Sequence, residues 1–210
     1  MVVVARNIPE IAENCIYLDD ELGGQLAAEH LLALGHNRFA SIMSELPIQD
    51  PKHRLSGFNS ALCKQALTLS EDQVTYGAPD QLGGELAANT LLKNQQVFTA
   101  LFAYNDAMAI GAISALEEAG FKVPDDISVI GFDDICLAHY SRPKLTTLHY
   151  PVEAIAKHAA LLAINKHTQL DKTAHSHRYQ PTLVERQSTE FAPKAAPKQS
   201  LNQNQIDRQN

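Results

Sequence analysis

Cysteine is scarce in this chain: Cys15, Cys63 and Cys136 are the only three, far apart in 210 residues and with no CxxC pair among them. An odd, scattered set closes no disulfide framework, and the natural compartment for it is a reducing cytoplasm. Long apolar runs are missing too, and none approaches the roughly 20 residues of a membrane span. Residues 1–9 lack the charged start and cleavage site of a secretory signal, so export is not expected. Positive charge is also in short supply. With 17 Lys and Arg against 24 Asp and Glu, the formal net charge of -7 repels a phosphate backbone, and these residues alone are not expected to hold DNA.

Catalytic signatures are absent in the same way. There is no G-x-S-x-G, and no glycine-rich phosphate loop follows a strand. Asp50 and Asp133 could pair as two carboxylates, but no nucleophile is marked beside them, so no catalytic residue is assigned and no enzyme is expected. Nine histidines invite a metal reading, above all His175 and His177 near His167. No Cys stands among these three and the stretch reads as loop, so neither a metal nor any other cofactor is expected.

What is present is an alternation. The β-branched run Val2, Val3, Val4 reads as a short buried strand. Helical spacing follows in Leu22, Leu26, Leu31 and Leu34, stopped by Gly35. Strands are then predicted over 39–43, 74–76, 99–103 and 127–131, with helices over 54–66, 82–92 and 106–119 between them. Short apolar strands separated by amphipathic helices specify right-handed crossovers and a parallel sheet covered on both faces. This is a doubly wound α/β lobe. The later pieces, a strand near 145–148, a helix over 151–165 and a strand near 182–185, find no partners inside it. From residue 190 onward the Pro, Ala, Lys, Gln and Asn content predicts a disordered tail.

In such sheets ligands bind beyond the carboxyl ends of the strands. Those positions hold Ser44, Asp50 and Arg54, then Pro79 and Asp80, then Tyr104, Asn105 and Asp106, then Asp133 and Asp134. Carboxylates, an amide and a guanidinium converging on one crevice suit a sugar, whose hydroxyls both give and accept hydrogen bonds. Plainer roles compete. Asp106 stands where a helix cap is wanted, Arg54 could be an exposed helix-start residue, and Asp133 and Asp134 could be turn residues. Gly23, Gly24, Gly83 and Gly84 lie in early helical turns, where close packing explains them.

Five stretches resemble the LacI/GalR family of bacterial transcriptional regulators, in the family's order: LAAEHLLALGH from Leu26, RLSGFNSAL from Arg54, NDAMAIGA from Asn105, VPDDISVIGFDDICLAHYSRPKLTTL from Val123 and PTLVERQST from Pro181. The wording HYSRPKLTTLHYP and AYND is most similar to its galactose-type members. The resemblance implies a periplasmic-binding-protein-like fold of two Rossmann-like, doubly wound lobes with three crossings, near 18–20, 145–150 and 178–182. Residues 19–147 and 180–189 would be the C-terminal effector-binding lobe. Residues 1–18 and 149–177 would be a remnant of an incomplete N-terminal lobe, with the helix-turn-helix headpiece and half the cleft lying outside the sequence. It also implies a homodimer, a sugar effector such as galactose, and operator DNA bound only through that headpiece. By matching motif, Arg54, Asn105 and Asp133 would contact effector, Pro79 would stand where relatives place an aromatic wall, and Tyr150 would touch effector from a crossing. Ala5 offers no polar group where relatives often carry one. A transport-type solute-binding protein and a sugar-active enzyme are the alternatives.

Overall fold

The computed structural model describes residues 1–168 and 176–194. His175 and residues 195–210 therefore lie outside the described residues, as does the side chain of His167.

Two sheets organise the described chain. The smaller is parallel throughout and contains β1 (Val3–Val4), β2 (Cys15–Leu18) and β8 (His177–Tyr179), in the order β1-β2-β8. The larger contains β3 (Phe39–Ser44), β4 (Val74–Gly77), β5 (Ala100–Ala103), β6 (Ser128–Asp133), β7 (Thr146–His149) and β9 (Thr182–Val184), in the order β4-β3-β5-β6-β7-β9. Its pairings are parallel except β7 with β9. The helices are α1 (Asp20–Ala33), α2 (Asp50–Cys63), α3 (Gln81–Lys93), α4 (Asp106–Glu118), the short α5 (Cys136–Tyr140) and α6 (Val152–Thr168). The chain passes between the sheets after β2, after β7 and after β8.

Strands β3 and β5 are buried at every position. They read as continuous apolar runs because helices cover both faces of the sheet. Helix α1 packs on α2, and α3 packs on α4. Right-handed crossovers put the first pair on one face and the second pair on the other. The closeness of each pair explains the early-turn glycines. A Cβ on Gly24 would strike the backbone carbonyl of Arg54, and one on Gly57 that of Glu21; Gly84 faces Met108 and Gly111 faces Gln81 in the same way. At the centre Phe58 stacks on Phe102 with ring centroids 4.9 Å apart and meets Phe39 edge-on at 5.9 Å.

Local chemistry sets the helix ends. Asp19, Asp80 and Asn105 accept hydrogen bonds from the N–H groups of Leu22, Gly83 and Met108, at 3.0, 2.8 and 2.8 Å, and so cap α1, α3 and α4. The expected cap for α4 was Asp106, so the role moves back by one residue. Gly35 and Gly120 follow helices with φ of +82° and +89°, the left-handed region that favours glycine. Helix α2 begins at Asp50, earlier than its apolar rhythm indicates, because Pro51 is well suited to a first helical turn. The four-residue strand β2 carries too few positions to announce itself by periodicity.

The packed chain also reaches further than composition indicated. His36 is buried and shares hydrogen bonds with Thr99, Ser128 and the carbonyl of Glu190, while the N–H of Ala192 donates to Leu34. Residues 190–192 are thus fastened to the large lobe by backbone groups, which composition does not register. Among the described residues no helix is long and apolar enough to cross a membrane.

Candidate ligand-binding cleft

A cleft of about 740 Å³ opens where the ends of β5, β6 and β7 and the first turns of α2 face the start of α6. Asp50, Arg54, Tyr104, Asp133, Asp134 and His149 line it from the large sheet, and Tyr150 and Glu153 line it beyond the crossing after β7. Ala5 contributes to the wall from the small sheet. Four of the residues expected to bind effector, Asp50, Arg54, Asp133 and Tyr150, are therefore brought together.

Arg54 is the best-fixed group there, with 3% of its surface exposed. It sits one turn into α2, and its Nε donates to Asp20 Oδ1 at 2.8 Å while Nη1 donates to the carbonyl of Tyr104 at 2.6 Å. Nη1 also lies 3.5 Å from Asp133 Oδ1. The guanidinium lies over the Phe132 ring, 3.5 Å from its centroid, with the Tyr104 ring 4.6 Å away. Such cation–π contact contributes about 0.5–2 kcal/mol as desolvation increases. A planar fork held at three points has little rotamer freedom left to lose when a ligand arrives. Nη2 makes no hydrogen bond to the described residues.

Two carboxylates flank this cation, Asp20 and Asp133. Burial alone would lower the Arg54 pKa, but Asp20 and then Asp133 outweigh it, and the net shift is upward. Asp133 is pushed up to about 6 by burial, with Asp20 and Asp50 raising it further against the opposing pull of Arg54. Its side chain keeps 29% of its surface exposed, on the cleft side. Asp20 is also raised, again by burial and against Arg54. An acceptor-rich carboxylate beside a donor-only guanidinium is a pair that one sugar diol can bridge.

Asp133 is presented by an unusual turn. Asp133 and Asp134 have φ of 107° and 57°, two successive non-glycine residues in a region that costs about 1–3 kcal/mol each. Beyond the turn, the Ile135 N–H donates to Asp106 Oδ2 at 2.8 Å, and Thr147 Oγ1 donates to Asp106 Oδ1. Asp106 is fully buried and pushed up to about 7, since desolvation exceeds what these two donors recover. A Cβ at position 131 would collide with the same carboxylate, which accounts for Gly131 in the IGFDD stretch.

Asn105 and Pro79 stand beside the cleft and not among the residues that line it. Both polar atoms of the Asn105 amide are engaged within the protein: Oδ1 caps α4 and Nδ2 donates to the Pro79 carbonyl at 3.1 Å. Asp20, which holds Arg54 but does not line the cleft, and His149, which lines it, were not expected. Asp20 was hidden because β2, the strand before it, is too short to read. Tyr104 and Asp134 were visible only as residues after strand ends, and nothing in their spacing separates them from turn residues. Among the described residues no group of three or more His, Cys, Asp or Glu could hold a metal ion.

A profile of the periplasmic binding protein-like domain matches residues 28–189. The chain is 32% identical to the solved LacI family transcriptional regulator of Enterococcus faecium with bound ribose, covering 90% of this chain and 70% of that one, with a TM-score of 0.79. This chain belongs to the LacI/GalR family. A sugar-binding LacI family regulator of Escherichia coli complexed with phosphate superimposes with a TM-score of 0.86 at 29% identity, over 90% of this chain and 68% of that one. The HTH-type transcriptional regulator GalR of Salmonella typhimurium is 40% identical over 188 residues, 90% of this chain and 55% of that protein. The chain thus spans about half the length of the curated relatives it matches. Those relatives are transcriptional regulators and repressors by name.

Proposed function

We propose that this LacI/GalR family chain is the effector-sensing and dimer-forming part of a cytoplasmic transcriptional repressor, that it is not an enzyme, and that its effector is galactose or a closely related sugar. The cleft supports the reading. A buried, three-point-held Arg54 beside a partly open Asp133, with Asp50 and Tyr150 on the same lining, is built to receive alternating donors and acceptors on a small neutral molecule. In the proposal, Arg54 donates to sugar oxygens and Asp133 accepts from a pair of hydroxyls. Asp50 accepts at the rim, and Tyr150 closes over the ring from the crossing. Asn105, with Pro79 behind it, holds the start of α4 under the site, and its amide meets a ligand only if the cleft closes around it. Residues 19–147 and 180–189 form one effector-binding lobe, and 1–18 with 149–177 belong to the other. Operator DNA is contacted only through a helix-turn-helix headpiece outside these residues, and effector acts by favouring one arrangement of the lobes in a homodimer.

The test is thermal unfolding of the chain with D-galactose, D-glucose, D-ribose and cellobiose, paired with calorimetric titration. A ligand that binds only the folded state adds about 2.7 kcal/mol of stability at a hundred times its Kd. A selective rise of the midpoint with galactose, lost in Asp133→Ala while that variant still melts cooperatively, is the expected result. A cooperative melt unmoved by every sugar overturns the sugar assignment, and chemical conversion of a bound sugar would favour the enzyme alternative.

A further inference from the structure

The Arg186 side chain lies outside the cleft lining, at the end of β9, yet it connects directly to the turn that presents Asp133. Its Nη1 donates to the Leu145 carbonyl at 2.8 Å and its Nη2 to Asp134 Oδ1, while its backbone N–H donates to Thr146 Oγ1 at 2.9 Å. The other oxygen of Asp134 meets His149 Nδ1 at 3.0 Å. One carboxylate therefore ties the strained turn after β6 to the last residue of β7 and to the segment after β9. Asp134 is mostly withdrawn from solvent, with 18% of its side chain exposed, and Arg186 has 15%. Two of these segments, β7 and β9, adjoin crossings between the sheets.

A turn with two successive positive φ angles would relax if nothing held it, and relaxation would swing Asp133 away from Arg54. The clamp opposes that. We propose that Arg186 acts as a positioning residue: through Asp134 it fixes the backbone that aims the Asp133 carboxylate into the cleft, so that the site's affinity is set partly from outside it. This rests on the reading of the cleft as a sugar site. The bidentate use of the guanidinium, one branch on a backbone carbonyl and one on the carboxylate, is a geometry that a lysine ammonium cannot reproduce.

The experiment combines Arg186→Met, Arg186→Lys and Asp133→Asn, singly and with Arg186→Met and Asp133→Asn together, read by galactose titration and by denaturant unfolding. Arg186→Met is expected to bind sugar about tenfold more weakly, equivalent to about 1.4 kcal/mol, with Arg186→Lys between it and the parent chain. A variant that melts lower but binds sugar as the parent does gives Arg186 a purely structural role and overturns the proposal. If the parent chain binds no sugar, the sugar reading fails, and the unfolding cycle still decides the positioning. Arg186 pairs with Asp134 and not with Asp133, so non-additive changes in the unfolding midpoint show that its effect reaches Asp133 through the turn. Additive changes overturn the proposal in that case also.

Discussion

Arg54 is held so firmly that its removal should be felt first in stability. Asp20 has its carboxylate against Arg54 Nε with 10% of its side chain exposed, so Arg54→Met leaves that buried acid without its partner. Breaking a buried pair on one side costs about 3–5 kcal/mol, and Arg54→Met should lose stability on that scale in urea unfolding. Adding Asp20→Asn should restore a large part of the loss. If the double variant is no more stable than the single one, Asp20 is not the group that makes Arg54 necessary. Asp106 gives a second prediction at this scale. Its carboxyl is near 7 in the folded chain against an ordinary value of 3.8, so between about pH 4 and pH 7 the folded state keeps a proton that the unfolded state releases. Its contribution to stability is full at low pH and is lost as pH rises through about 7, at up to about 1.4 kcal/mol per pH unit inside the window. Burial holds His30 and His36 below their ordinary value, and they act in the opposite direction as pH falls. Comparison with Asp106→Asn isolates the acid: the parent chain should lose stability relative to that variant as pH rises across the window. Parallel pH profiles would remove Asp106 from the account.

At the scale of elements, the two helix pairs are joined by backbone approach more than by large side chains. Alanine in place of glycine raises helix propensity by about 1 kcal/mol, so substitution at an unconstrained helical glycine should stabilise. At Gly57 and Gly111 the new methyl group would meet the carbonyls of Glu21 and Gln81, which belong to neighbouring helices and cannot rotate aside. Overpacking of this kind costs about 1–3 kcal/mol. Gly57→Ala and Gly111→Ala should each lower the melting temperature despite the gain in propensity; an unchanged or higher midpoint would mean that the helices slide apart without penalty. The glycines are also part of the site, since Gly24 packs against the backbone of Arg54 itself and so sets how deep the guanidinium lies.

For the molecule as a whole, the formal charge of -7 and the cleft belong to one division of labour. On the proposed reading a sensing part has no need of a cationic face, and net negative charge disfavours contact with nucleic acid. In a gel-shift assay at low salt, where electrostatic contact is strongest, the chain should leave duplex DNA unshifted at micromolar concentration. Retention that weakens with added salt would show a phosphate-binding surface that the net charge conceals. The same view explains which parts were legible beforehand. The doubly wound lobe could be read because strands covered on both faces and helices covered on one leave different periods in the sequence, as in 39–43 against 82–92. Arg54, Asp133, Asp50 and Tyr150 could be named because parallel strands deliver ligand groups at their carboxyl ends and because the family stretches mark them. The small sheet was less legible: β1 was read from its Val run, while β2 and β8 were not read as strands.

The sequence by itself determined the alternation of strands and helices, the stops at Gly35 and Gly120, the family and most of the cleft's polar lining. These follow from short-range spacing and from local backbone preference, which a chain carries wherever it folds. Only the tertiary structure decided that Asn105 and not Asp106 caps α4, that Asp106 instead joins α4 to the turn after β6 and to β7, and that Asp20, 34 residues before Arg54, holds its guanidinium in place. The last two of those outcomes depend on which buried donor and acceptor meet across the packed fold. Desolvation forces them to find partners, and only the folded arrangement says which partner is within reach.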